Sequence, residues 1–256
     1  MAKHMHIDAR AIATCVEKMR ATRPHVHCIT NTVAQNFTAN VLLASGMTPS
    51  MTVAAEEMEG FLSLADALLI NVGTMDEGRR AAIDEATTLA AKRNLPWLRD
   101  PVFAQSTEPR LDLAKSLLQQ TPTAMRCNPG EARALLGLDM TNEALPLLSH
   151  STGVALALTG AEDHVAVGDA TAIIRNGSPV MDRVTAMGCA LSAVMAGVLA
   201  VEKDRCMALT SALVFYGLAG SEAEANSAGP GSFIPAFQDA LHTLSPDDIL
   251  AGARIA

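Results

Sequence analysis

Apolar runs of strand length, each followed by a segment of helical character, constrain this chain most. Ala67-Leu-Leu-Ile-Asn-Val-Gly73 reads as a buried strand, 76–93 as a helix, Trp97 to Val102 as a strand, 109–119 as a helix, Ala124 to Asn128 as a strand and 130–136 as a helix. After a helix near 142–150 comes the strand Gly153 to Thr159, then two short alternating runs, His164 to Val167 and Thr171 to Arg175, that predict an antiparallel hairpin. Before this stretch, 8–21 and 34–45 read as helices, the second ended by Gly46, with a short strand near Met51-Thr-Val53. Three helices around 188–202, 206–226 and 233–244 finish the chain. Two parallel strands need a crossover between them, so the alternation predicts an α/β fold: a mainly parallel central sheet with helices on both faces.

In such sheets ligands bind beyond the carboxyl ends of the strands. Each predicted strand leaves a polar or glycine cluster there: Asn71-Val-Gly73, Asp100, Asn128 with Glu131, and Thr159-Gly160. Helix capping and turn chemistry account for any one of them alone. Four on one rim point to a site.

With 256 residues, no repeat and no Pro/Gly/Ser-rich linker, residues 1–256 read as a single domain. A formal charge of −8 has the wrong sign for neutralising phosphate backbones, so neither nucleic acid nor an anionic membrane is an expected partner. One Trp, one Tyr and six Phe leave few stacking platforms for single strands. Five widely spaced cysteines without a C-x-x-C pair, and an N-terminus without an apolar signal core, predict a cytoplasmic protein. Val184 to Val201 is uncharged over 18 residues, but it mixes Gly, Ser and Thr with Ala and falls short of a span of ~20 residues; a buried core helix is expected there.

The chain has no G-x-G-x-x-G, no lysine preceded by glycine as a Walker A loop requires, no G-x-S-x-G elbow and no zinc-spaced partners for His4/His6 or His25/His27. It does have Arg183-Val-Thr-Ala-Met-Gly-Cys-Ala-Leu-Ser192, a loop running into the N-terminus of an apolar helix. Unpaired amides and the positive end of the helix dipole suit that place to an anion. A cysteine in the first turn, Cys189, is expected to have a stabilised thiolate with a pKa below ~8.5; the alternative is a small buried residue packing like alanine.

The order of segments resembles the hydroxyethylthiazole kinase family of ribokinase-like enzymes. The matching pieces are His27-x-Ile-Thr-Asn31, Asn36-Phe-Thr-Ala-Asn40, Pro49-Ser-Met51 with Glu56-Glu57, Asn71-Val-Gly-Thr74, Asp100-Pro-Val102, Arg126-x-Asn128-x-x-Glu131, Leu158-Thr-Gly160, Val184-Thr-x-x-Gly-Cys189 and Gly229-Pro-Gly-Ser-Phe233. The resemblance implies a ribokinase-like fold without a separate lid domain, and ATP- and Mg²⁺-dependent phosphorylation of the hydroxyl of 4-methyl-5-(2-hydroxyethyl)thiazole in thiamine salvage. It also implies a homotrimer with sites between subunits. It assigns Met51, Asn31 and Ala186 to the substrate, and Arg126, Thr159, Asn128 and Gly188 to ATP. Asp100 and Glu131 fall to the metal, and Cys189 falls where most ribokinase-like relatives have an aspartate base. Three positions depart from the pattern, each carrying a side chain where the family has glycine: Ala186, Cys127 and Phe103. The segment between Glu131 and Gly153 is also short. Two alternatives stay open: a kinase for another heterocyclic alcohol such as hydroxymethylpyrimidine, or a weakened relative that binds thiazole or nucleotide without turnover.

Overall fold

The computed structural model describes residues 3–4, 7–137 and 144–256. Its strands are β1 (Lys3–His4), β2 (His25–Ile29), β3 (Thr48–Ser50), β4 (Ala67–Asn71), β5 (Trp97–Asp100), β6 (Ala124–Cys127), β7 (Ala155–Leu158), β8 (Asp163–Val167) and β9 (Ala170–Ile174). The helices are α1 (Ala9–Thr22), α2 (Gln35–Ala44), α3 (Met58–Leu64), α4 (Glu77–Arg93), α5 (Glu108–Gln119), α6 (Pro129–Leu136), α7 (Ala144–Thr152), α8 (Met187–Val201), α9 (Arg205–Ala225), α10 (Pro230–Thr243) and α11 (Pro246–Gly252).

The strands form one sheet in the order β1-β9-β8-β7-β6-β5-β4-β2-β3, parallel except where β8 pairs with its two neighbours. Successive residues along β4 point to opposite faces: Ala67 and Leu69 join one core, with Val194 and Leu213, while Leu68 and Ile70 join another, with Ile83 and Ala86. Helices α1, α2, α8, α9 and α10 build the first face, and α3 to α7 cover the second. Among the described residues there is no second sheet and no lid set apart from this one.

Local chemistry sets the helix starts. Asp8, Asp76 and Asp204 accept first-turn amides of α1, α4 and α9, and Asn128 with Glu131 forms a reciprocal capping box at α6. The uncharged stretch is core: in α8 only Gly188, Cys189 and Ala200 keep partial exposure. One helix among the described residues, α9, is long and apolar enough to cross a membrane, and 78% of its apolar window is buried.

Several boundaries correct the sequence reading. The strand expected near Met51–Val53 is β3, three residues earlier, at the sheet edge. Strand β2, next to the edge strand β3, is absent from the sequence reading because two histidines and a cysteine interrupt its apolar character; burial of His27 and Cys28 makes it a core strand nonetheless. Helices α3 and α11 and strand β1 are too short to give a periodic signal. Helix α10 starts at Pro230 rather than 233, as proline at a first helical position allows. The start expected at 142 for α7 lies outside the described residues.

Candidate active site

Because β2, β4, β5, β6 and β7 run parallel, their carboxyl ends bring Asn31, Asn71, Asp100, Asn128 and Thr159 onto one rim, facing the first turn of α8. A hydrogen-bond chain fixes the middle of it. Asn31 Nδ2 donates to Asn71 Oδ1 at 3.0 Å and to Cys189 Sγ at 3.4 Å; Asn71 Nδ2 donates to Asp100 Oδ2 at 2.9 Å, which also accepts from Ser192 Oγ at 2.9 Å. Gly73 closes against this chain, where a Cβ would come 2.6 Å from that of Asn31. Asn71 belongs to the strand-end rim read from the sequence, whereas Ser192 is an additional site residue; a polar residue one turn beyond Gly188, facing a strand-end carboxylate, is the signal that marks it.

At the start of α8, Ala186 takes the N-cap position with φ 68°, the left-handed conformation a glycine would adopt without cost. Tyr216 Oη donates to Met187 O at 2.9 Å and pins the turn from beneath. The amides of Met187, Gly188 and Cys189 have no partner among the described residues, which leaves an anion-binding helix end. The thiol of Cys189 differs from expectation. Burial first, and the Asp100 carboxylate second, push it up to about 11, outweighing hydrogen bonds from Asn71 and Asn31. It is a neutral thiol near pH 7.

Charge is concentrated at Arg126, whose Nη1 lies 3.9 Å from Asp100 Oδ1. That oxygen is buried and accepts no hydrogen bond. Burial pushes Asp100 up to about 6, against the pull of Arg126. Both Glu131 oxygens accept amides, Oε2 from Asn128 at 3.0 Å and Oε1 from Phe103 at 3.1 Å. Among the described residues no cluster of three or more His, Cys, Asp or Glu side chains could hold a metal by itself. The set does fit a magnesium ion carried by phosphates, which uses one or two carboxylates and needs a free hard oxygen such as Asp100 Oδ1.

Two cavities meet here. One, of about 580 Å³, runs along Thr159, Gly160, Asp163, Arg175, Asn176 and Tyr216. The other, of about 660 Å³, takes in Asn31, Gly73, Thr74, Phe103, Ala186 and Cys189. Arg126, Asn128 and Gly188 belong to both. Every site residue anticipated from sequence therefore falls on this rim or beside it except Met51, which follows edge strand β3 and lines neither cavity. Asp163, pushed up to about 6 by burial and holding the Gly160 amide at 3.0 Å, is an additional wall residue that sequence reasoning missed.

Residues 16–247 match the family model described as the hydroxyethylthiazole kinase family. The chain belongs to that family. A hydroxyethylthiazole kinase from Tolumonas auensis is 42% identical over 253 residues, spanning 93% of this chain and 95% of that protein. Another from Pectobacterium atrosepticum is 41% identical over 255 residues, spanning 94% and 97%. The structure of a hydroxyethylthiazole kinase from Pyrococcus horikoshii superposes with a TM-score of 0.92 at 35% identity, covering 96% of this chain and 98% of that one. At 13% identity a ribokinase-like superfamily protein from Enterococcus faecalis still reaches a TM-score of 0.69, covering 95% and 99%, so the fold is ribokinase-like.

Proposed function

We propose that this member of the hydroxyethylthiazole kinase family transfers the γ-phosphoryl group of ATP to the hydroxyl of 4-methyl-5-(2-hydroxyethyl)thiazole. The observation that carries this reading is the junction at Arg126 and Gly188, where the donor-side and acceptor-side cavities share a cation and a helix end with free amides. The triphosphate lies along Thr159 and Asn128, with its γ-phosphate against the 186–189 turn and Arg126. Phosphoryl transfer passes through a loose transition state, so positioning and charge neutralisation outweigh the base. Arg126 and the α8 amides supply that neutralisation on the equatorial oxygens. As a neutral thiol steered by Asn31, Cys189 orients the acceptor hydroxyl in line with the phosphorus. Magnesium, when present with ATP, adds Lewis-acid neutralisation of the phosphates, with Asp100 and Glu131 as the residues that would hold it.

Met51 fits the acceptor role if the edge strand of a second copy completes each site, and Val33, an apolar residue 63% exposed on the acceptor-cavity wall, is surface that such a copy would cover. A homotrimer with shared sites is the assembly this reading requires. A single kinase domain working in the cytoplasm accords with five unpaired cysteines. The test is ADP release coupled to NADH oxidation over a panel of alcohols, with MgATP. Turnover with hydroxyethylthiazole is expected, at kcat/KM well above that for hydroxymethylpyrimidine. The reverse ranking would move the substrate to pyrimidine alcohols, and a thermal shift with thiazole without ADP release would reduce the protein to a binder.

A further inference from the structure

Six non-glycine residues among those described have positive φ. Arg23 and Asn94 are C-caps of α1 and α4, and Thr121 follows the end of α5, places where a left-handed residue ends a helix. The other three, Thr74 (φ 29°), Phe103 (φ 55°) and Ala186 (φ 68°), line one cavity, the one that holds Asn31 and Cys189. Backbone cost gathered around a cavity needs surroundings that enforce it. At Phe103 they are visible: its amide donates to Glu131 Oε1 at 3.1 Å, and Arg110 Nη1 ties the adjoining turn by bonds to Val72 O at 2.8 Å and Val102 O at 3.3 Å. The turn is thus clamped on both sides, yet the clamped residue carries a large apolar ring that is 62% exposed.

We infer that Phe103 is a specificity-determining residue, its ring forming an aromatic wall against which the flat heteroaromatic ring of the acceptor alcohol packs. The inference rests on the assignment of this cavity to the acceptor. Phe103 lines this cavity and not the one along Thr159 and Asp163, and a polyanionic phosphate chain gains nothing from an apolar ring, whereas an aromatic acceptor does. The wall also sets a selection: a saturated-ring alcohol of equal size fills the cavity but forgoes the ring-to-ring contact.

Steady-state kinetics of the full chain tests this with Phe103→Ala, Phe103→Gly and Phe103→Tyr, using hydroxyethylthiazole and a saturated-ring analogue as acceptors. Loss of the ring should raise KM for hydroxyethylthiazole roughly threefold to tenfold. MgATP KM should stay within about twofold, and the preference for the aromatic acceptor should shrink by the same factor as the acceptor KM rises. Tyr should restore wild-type values. Glycine is at ease at positive φ, so Phe103→Gly keeps the turn without strain, and Tm measured alongside separates a loss of stability from loss of the wall. An unchanged acceptor KM in Ala and Gly variants, an equal rise in MgATP KM, or a change in oligomeric mass would overturn the inference. Cys189→Ala, run alongside, separates the two levels. A lowered kcat there with no Phe103 effect rejects the wall alone, and an unaltered kcat rejects the cavity assignment beneath it.

Discussion

The guanidinium of Arg126 occupies the space that a side chain on Gly188 would need: a Cβ there would come 2.6 Å from Nη1, 2.7 Å from Nη2 and 2.8 Å from Cζ. Glycine at 188 is therefore what lets a fixed positive charge and the N-terminus of α8 converge on one point. Gly188→Ala should keep the fold, since alanine favours helix, while displacing the guanidinium. Losing charge-assisted bonds to phosphate should raise KM for MgATP about tenfold or more. Isothermal titration with a non-hydrolysable ATP analogue checks it; unaltered affinity would mean that Arg126 does not touch the nucleotide.

Removing the charge itself goes further. Arg126→Ala should raise KM for ATP by at least about tenfold and leave that for the alcohol within about threefold, because the cation faces phosphate rather than an uncharged ring. Asp100 then loses the guanidinium 3.9 Å from its Oδ1, which remains buried without a hydrogen-bond donor. Initial-rate kinetics with both substrates varied gives the two constants together. A larger effect on the alcohol would reverse the assignment of the cavities.

With its thiol pushed up to about 11, Cys189 should react slowly with iodoacetamide near neutral pH and faster only in strongly alkaline buffer. Against an ordinary cysteine it holds roughly a hundredfold less thiolate at pH 7. Peptide mass mapping resolves the rate at each cysteine, and rapid labelling of Cys189 would restore the activated-thiolate picture. Cys189→Ala should lower kcat with acceptor KM within a few fold, and Cys189→Asp should retain activity.

How the sequence discloses this site, and where it does not, follows from what each signal measures. Apolar runs separated by helices reveal β4 to β7, and with them the rim bearing Asn71, Asp100, Asn128 and Thr159, because burial on both faces demands such runs. Strand β2 breaks that rule: His27 is buried beside Phe61 and hydrogen-bonded to Ser50, so a polar letter occupies a core position. Resemblance places Cys189 at the reacting centre, but its protonation depends on Asp100, 89 positions earlier, and on depth of burial, neither of which local spacing records. Ala186 and Phe103 are visible as departures from a family pattern, whereas their left-handed backbone is a property of the folded turn alone.

His27 makes the stability of the fold depend on pH. Burial lowers it from 6.5 to about 4, and its Nδ1 pairs with Ser50 Oγ at 2.8 Å. Since the unfolded chain takes up this proton first, the stabilisation is complete above pH 6.5 and is lost as pH falls toward 4, by roughly 3 kcal/mol. Asp100 and Asp163, both raised to about 6, act with the opposite sign, their contribution being lost as pH rises through 6. A variant comparison isolates the histidine. The gap in Tm between wild type and His27→Gln should narrow between pH 6.5 and 4, and parallel curves would show that His27 does not titrate there.

Ala186 gives the sharpest test of the phosphate turn. Its φ of 68° is one that L side chains enter at a cost, and it is enforced by Tyr216 holding Met187 O and by Ala190 N bonded to Ala186 O at 2.9 Å. Ala186→Gly removes the Cβ and keeps the conformation, so the folded state should gain about 1 kcal/mol from relieved strain, less the entropy glycine adds to the unfolded chain. The kinetic effect should be larger than the stability effect. Without a Cβ at the mouth of the turn, the γ-phosphate can approach the amides of Met187 and Gly188 more closely, and those donors act on charge that develops during transfer. The expected outcome is a kcat raised several-fold with KM for MgATP nearly unchanged, because ground-state binding is supplied mainly by Arg126. Parallel measurement of kcat and Tm distinguishes the two contributions. A folded Ala186→Gly variant with unchanged or lower kcat would mean that the turn already presents its amides well with alanine in place, and the anion-binding role of residues 186–189 would have to be given up.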